Sequence, residues 1–353
     1  MSENAKSMRD FRCLICSIFL SVCAGTGALS QAPAPAMPSD PNQLMLLASK
    51  VNGLIGDEVK GWHLTATYKL LDDKGSTTDQ GTYEEFWASP TKYKRTFTGT
   101  TFTQTDYGTE KGIFRFGQRQ PVPVLVSDIR TEFVAPLPAP EVVEKSSFTL
   151  QHIDSKGVKV VCLRRTGIPD SGIVPCLIPD RPILFINIYS PESIQAIHGR
   201  ILGFHDRFIS GDLNFVRGGK SLLLAHIEDL RSLNPANDAE FLPPPAATLL
   251  PRRVNISGDV AAAMAIKHGG PDYPPIARAA RVSGTVVLRA VIGTDGRIAD
   301  LQAISGPLML QEAALEAVRK WTYHPYMLNG EPVEVDTTIN VVFSFALLPP
   351  GIQ

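Results

Sequence analysis

The residues able to do chemistry are few and scattered. Cys162 and Cys176 are the pair left once an N-terminal leader carrying Cys13, Cys16 and Cys23 is removed. In an exported chain an even pair points to a disulfide. The alternative is two buried free thiols, and a metal site is disfavoured because no His lies nearby at ligand spacing. Cys13-Leu14-Ile15-Cys16 has the spacing of a redox pair but falls in the leader. Gly219-Lys220-Ser221 copies the end of a phosphate-binding loop, yet Asn214 stands where that loop needs its first Gly. Arg217-Gly218-Gly219-Lys220 reads instead as a turn between strands. The seven His, at 63, 152, 198, 205, 226, 268 and 324, are dispersed. His205-Asp206 reads as a solvated strand edge. Glu84 and Glu85 point to opposite faces of a strand, so they cannot share a substrate. No HExxH, GxSxG or dinucleotide-type glycine pattern is present. The sequence therefore predicts no catalytic residues, no cofactor and no metal, and a protein that is not an enzyme.

Composition sets the class. At 353 residues the chain suits two domains and a leader. With 34 basic and 35 acidic residues, a net charge of −1 gives no nucleic-acid signal. Hydrophobic residues make up 44%, enough to fill a core. Lys6, Arg9 and Arg12 precede the apolar stretch Leu14 to Leu29, and Ala28-Leu29-Ser30 then Gln31 fits a small-residue cleavage site. Residues 1–30 are read as a secretory signal peptide, which places the protein in the periplasm. Two alternatives stay open. Leu20-Ser21-Val22-Cys23 is near a lipoprotein box, with Val22 where a small residue is expected. Residues 14–29 could also persist as an inner-membrane anchor, although the run is shorter than the roughly 20 residues a spanning helix needs.

The remaining chain is read as an α+β protein in two parts. Residues 31–39 are an Ala- and Pro-rich tether. Residues 40–233 form a β-rich domain that begins with a helix capped by Asp40-Pro41, with Leu44, Leu47, Ala48 and Val51 on one stripe. From Trp62 the period becomes two: Trp62, Leu64, Ala66, Tyr68 and Leu70 share one face. Tyr83, Glu85 and Trp87 share another, followed by Tyr93, Arg95 and Phe97. Further strand-like runs cover 148–153, 158–163, 183–189, 201–209 and 222–230, with a helix or long loop in the proline-rich stretch 121–140. Many strands with frequent turns predict a large curved antiparallel sheet. One short helix before many strands resembles, in architecture alone, the half-barrel lipoprotein carriers of the periplasm such as LolA. Residues 234–253, with Pro243-Pro244-Pro245, form a semi-rigid linker. Residues 254–347 are a second domain, and 348–353 a tail.

The second domain is the more legible. Tyr273-Pro274-Pro275 starts a short helix ending near Gly284. Thr285 to Ile292 is apolar on both faces except at Arg289, a well-covered strand. Gly293-Thr294-Asp295-Gly296 turns the chain into a second strand, 297–304. Ser305-Gly306-Pro307 opens a helix with a capping hydroxyl. Its stripe runs from Leu310 through Ala313, Ala314, Ala317 and Val318 to Trp321, expected to anchor the core against the last strand. Pro325 ends the helix and Asn329-Gly330 turns. The last strand alternates, with Val333, Val335, Thr337, Ile339, Val341, Phe343 and Phe345 on one face. A helix packed on a three-stranded antiparallel sheet would bury both stripes.

These residues resemble the TonB C-terminal domain. The matching positions are Tyr273-Pro274, Ser283-Gly284-Thr285-Val286, Asp295-Gly296, the helix from Ala313 to Trp321, Pro325 and Ile339 to Phe343. The resemblance covers the last quarter of the chain. It implies docking to outer-membrane TonB-dependent receptors by strand addition, in support of transport energised through an inner-membrane proton-motive complex. The strand 335–345 is then the docking edge, with outward residues Thr338, Asn340, Val342 and Ser344 tuning specificity. That edge is either a binding edge or one covered by a second copy or by the lead-in at 254–266. Three features depart from the family: a cleavable-looking leader, no His in its apolar segment, and a folded region where a long spacer is expected. A second reading is a periplasmic carrier holding an apolar ligand or lipoprotein in the N-terminal sheet.

Overall fold

The computed structural model describes residues 37–56, 59–117, 121–155, 157–167, 172–190, 194–233, 238–256, 258–328 and 330–344. The leader, residues 31–36 of the tether, 234–237 of the linker, Asn329, Phe345 and the tail lie outside them. The chain divides into two compact units, Met1–Thr248 and Leu249–Gln353. Among the described residues no helix is long and apolar enough to cross a membrane.

The first unit opens with α1 (Pro41–Val51). Its start is set by Asp40, whose Oδ1 accepts the Gln43 N–H at 2.8 Å. Five strands follow: β1 (Trp62–Leu71), β2 (Thr77–Ser89), β3 (Lys92–Thr98), β4 (Thr103–Thr109) and β5 (Gly112–Gly117). The proline-rich stretch then folds as α2 (Val124–Val134) and α3 (Pro140–Glu144). The return is β6 (Phe148–Ser155), β7 (Val158–Arg165), β8 (Gly172–Leu177), β9 (Leu184–Ser190), β10 (Ile194–Phe204), β11 (Arg207–Arg217) and β12 (Lys220–Ser232). All lie in one sheet along the path β5-β4-β3-β2-β1-β12-β11-β10-β9-β8-β7-β6. Every neighbour pair is antiparallel. Leu44, Met45 and Ala48 of α1 pack with Val143, Phe148, Val161, Leu163, Leu177 and Leu184. Cys162 and Cys176 are register partners on β7 and β8 and are disulfide-bonded, their Cα atoms 3.9 Å apart.

Two readings of this unit are corrected. The expected strand over 201–209 is instead a hairpin, because β10 ends at Phe204 and β11 starts at Arg207. His205-Asp206 is its turn rather than a strand edge, and His205 takes φ 51 to make it. The glycines Gly218 and Gly219, at φ 54 and 88, turn β11 into β12 as a two-residue loop.

Among the described residues three carboxylates are buried in this unit, Glu85, Asp106 and Glu132. Asp106 accepts from Arg115 Nε and Nη2 at 2.7 and 2.8 Å. Glu85 is fully buried; it accepts bonds from Tyr83 Oη and, at 3.0 Å, from Arg130 Nε. Arg95, its cross-strand partner on β3, holds Nε 3.5 Å from Glu85 Oε1, a charge contact without a formed hydrogen bond. Glu132 of α2 accepts from Asn187 Nδ2 at 2.9 Å and from Tyr189 Oη. His198 Nε2 lies 2.8 Å from Glu132 Oε2.

A two-residue strand, β13 (Thr248–Leu249), falls where the units divide. The second unit then runs β14 (Arg253–Asn255), α4 (Gly258–Ala263), β15 (Ala265–Lys267), α5 (Pro275–Ala279), β16 (Gly284–Ile292) and β17 (Ile298–Ser305). It ends with α6 (Leu308–Val318), β18 (Thr322–Tyr323), β19 (Tyr326–Leu328) and β20 (Glu331–Phe343). Three antiparallel strands form its centre in the order β17-β16-β20. The sheet is larger than the three strands expected, because β14 adds parallel to β20 and β19 pairs with its start. Leu310, Ala314 and Val318 of α6 are buried with Val286, Leu288, Ala290 and Ile292 of β16 and Val335, Ile339, Val341 and Phe343 of β20.

The start and end of α6 also differ from expectation. Its N-cap is Pro307, with no side-chain cap, and Ser305 is instead the buried last residue of β17. The helix ends at Val318, so Trp321 falls beyond its stripe. Trp321 is half-exposed, packs against the margin of the core and donates its indole N–H to Gly269 O at 2.9 Å, while Tyr323 is the aromatic residue buried within it.

Candidate strand-docking site

Strand β20 lies between the long strand β16 and the three-residue β14, so its two edges differ. One edge pairs with β16 from Gly284↔Phe343 to Ile292↔Val335. The other faces β14, whose register is Arg253↔Glu334, Val254↔Val335 and Asn255↔Asp336. The Glu334 N–H donates to Arg252 O at 2.8 Å, and Asp336 O accepts from Ile256 N–H at 3.2 Å. A residue in a strand directs its N–H and C=O to one edge, and its neighbours direct theirs to the other. The even-numbered residues of β20 therefore aim their main-chain groups at the outer edge. That set includes Thr338, Asn340 and Val342.

The same alternation sorts the side chains. Val333, Val335, Thr337, Ile339, Val341 and Phe343 are buried, while Thr338, Asn340, Val342 and Ser344 are exposed. This arises because α6 covers one face of a strand whose sequence has period two. Val342 is 63% exposed, an apolar side chain held in solvent. Beyond Asp336, among the described residues, no strand pairs with the outer edge of β20.

The edge is not open along its whole length: the lead-in covers part of it, as one of the expected alternatives had it. Strand β14 takes the edge through Asp336. Next to it, a Cβ placed on Gly258 would lie 2.6 Å from Thr338 O, so α4 begins hard against that carbonyl. Pro332, an even-numbered position, has no N–H to offer the outer edge. The two acids are themselves paired. Arg253 donates from Nη2 and Nε to Glu334 Oε2 at 2.7 and 3.0 Å. Arg289, the charged exception in β16, donates from Nε and Nη2 to Asp336 Oδ1 and Oδ2 at 3.1 and 3.0 Å. The outer edge thus carries little net charge where it is covered, and where it is open it presents the polar Asn340 and Ser344 with the apolar Val342 between them.

The other singled-out positions lie elsewhere, in two groups. Gly296 takes φ 77 to close the β16–β17 hairpin, and its Cβ would fall 2.0 Å from Tyr323 O, so only glycine fits. Asp295 Oδ1 accepts the Arg297 N–H there at 3.0 Å, and Pro325 stands beside the same turn. At the other end, Pro274 caps α5, and Tyr273 donates its hydroxyl to Val282 O at 2.5 Å and meets Phe343 edge-on. Gly284 opens β16 opposite Phe343, close to Pro307. These residues build the unit rather than line the edge. Among the described residues, no group of three or more His, Cys, Asp or Glu is placed to hold a metal.

Residues 269–345 match the family model described as the Gram-negative bacterial TonB protein C-terminal. The chain is 37% identical over 65 residues to protein TonB of Vibrio cholerae serotype O1. That alignment covers 18% of this chain and 27% of the relative, so the chain spans about a quarter of that relative's length. Solved structures similar to the N-terminal region include a LolA superfamily protein from Nitrosomonas europaea, 8% identical, covering 58% of this chain and 99% of that one, with a TM-score of 0.40. A DUF1329 family protein from Desulfovibrio piger is 11% identical, covering 57% and 95%, with a TM-score of 0.39. At those scores no functional statement about the first unit follows.

Proposed function

We propose that the protein is a non-enzymatic, periplasmic TonB-type protein whose second unit docks a partner by adding the partner's extended segment to the outer edge of β20. The partner is an outer-membrane TonB-dependent receptor, and docking supports energy-coupled transport. An inner-membrane proton-motive complex is the second partner on this reading. The chain reaches the periplasm through its signal peptide, or stays anchored through residues 14–29.

The observation that carries the reading is the β20 edge itself, in a unit that matches the TonB C-terminal family. From Asn340 onward its outward main-chain groups have no strand partner among the described residues. Such an edge invites pairing, and alternate exposed side chains then read the partner's sequence. Single cysteines at Thr338, Asn340, Val342 and Ser344, in the full chain, should crosslink to a cysteine-scanned receptor segment with a fixed strand register. Crosslinks without register, or formed only between two copies of this protein, would remove receptor docking.

A further inference from the structure

We propose that β14 is a resident plug of the docking edge: an incoming segment must displace it, and its own chemistry shows what that segment looks like. The inference rests on the docking reading above and concerns its regulation and specificity.

The open part of the edge is too short for a partner. Outward main-chain groups from Glu334 to Asp336 are engaged by β14, and Thr338 O is closed off by Gly258. Asn340, Val342 and Ser344 remain. Because β20 ends at Phe343, its free outer edge runs only from Asn340 to Phe343, and an added strand of ordinary length, about 5–6 residues, overruns it into the stretch that Gly258 and β14 hold.

The plug is also built to leave. It is three residues long, and Pro251 stands just before it. The chain beyond it is fixed separately: Ala261 of α4 is buried in the core and β15 pairs with β18. Residues 252–256 can therefore come away while α4 and β15 stay in place. Displacement has one local cost, since it strips Arg253 from Glu334, whose side chain is 14% exposed. A half-buried carboxylate left unpaired is disfavoured, so the best replacement brings its own cation.

The partner's chemistry follows from the strand it replaces. Such a segment runs parallel to β20, as β14 does. It places branched aliphatic residues where Val254 and Ile256 pack on the core, and a basic residue where Arg253 meets Glu334.

The test uses the full chain in three forms. Arg253→Cys with Glu334→Cys, register partners, is oxidised to clamp β14 shut; the same double variant with both thiols alkylated is the open control. Arg253→Glu opens the edge by repulsion and leaves Glu334 in place. The first probe is a labelled synthetic peptide of this chain's own residues 251–257. It should bind the two open forms at least about tenfold more tightly than the clamped form. Equal binding to clamped and open forms, or no binding to either open form, overturns the plug. The second probe is the periplasm-facing segment of a TonB-dependent receptor. If that segment binds clamped and open forms alike, the plug falls and docking stands. If the chain's own peptide follows the clamp while receptor segments bind no form, docking at this edge falls and the plug stands.

Discussion

Replacing Glu85 with alanine should destabilise the first unit by about 3–5 kcal/mol, the cost of breaking a buried ion pair. Glu85 is 0% exposed, and the side chains of its cations Arg95 and Arg130 are 18% and 21% exposed. Removing the carboxylate leaves two guanidinium groups facing each other in a poorly solvated place, and strips Tyr83 Oη of its acceptor. Burial pushes the Glu85 carboxyl up, but Arg95, Arg130 and the Tyr83 hydroxyl outweigh it and hold the carboxyl below its usual range. A carboxylate with a depressed folded-state pKa stabilises above its unfolded pKa. That contribution is lost as pH falls through the folded value. The wild-type chain should therefore lose stability on acidification more steeply than Glu85→Gln. Urea unfolding followed by fluorescence of Trp62 and Trp87, in a Trp321→Phe background, reads this unit. A loss for Glu85→Ala within the roughly 0.5 kcal/mol typical of surface changes would mean that the cluster is solvated.

Leu310→Ala should cost the second unit about 2–5 kcal/mol. Leu310 is fully buried where α6 meets β16 and β20, so truncation leaves a cavity among residues already packed on all sides. Trp321→Ala should cost less, about 1–2 kcal/mol, because a partly buried ring at the margin of the core and one hydrogen bond to Gly269 are lost. The ranking reverses what size alone suggests, because Trp321 follows the helix end and stays half-exposed. Urea unfolding of both variants, read for the second unit by amide signals of β16, decides between them. A larger loss for Trp321→Ala than for Leu310→Ala would return the tryptophan to the core.

What the sequence made legible follows from which interactions are local. The period of β20 is a local property: alternate residues are apolar, one face is covered, and the burial pattern follows residue by residue from Val333 to Phe343. The β16–β17 turn is equally local, since Gly296 needs its positive φ whatever surrounds it. Pairing order is not local. That β14 would add to β20 in parallel depends on where the chain enters the second unit. The alternation of Arg253, Val254, Asn255 and Ile256 was the available signal, too short to weigh by itself. The Glu85 cluster had a signal that could have been used. Glu85 sits between Tyr83 and Trp87 on a buried face, as Arg95 does between Tyr93 and Phe97. Two opposite charges, each flanked by aromatic residues that face inward, imply a buried pair. The β10–β11 hairpin reads as one strand in the sequence because Ile201, Leu202, Phe204, Phe208 and Ile209 stand close together as apolar residues. Only two polar residues mark its turn.

A partner that adds to the outer edge of β20 is reported directly by the amides of that edge. Asn340 and Val342 aim their N–H groups outward, while Ile339 and Val341 aim theirs at β16. Amide hydrogen exchange in the full chain, measured by NMR with and without a receptor's periplasm-facing segment, should show Asn340 and Val342 passing from fast to slow exchange on binding. Ile339 and Val341, already bonded to β16, should be slow in both. A segment that binds without slowing Asn340 and Val342, or that instead protects β17, would contradict docking at this edge.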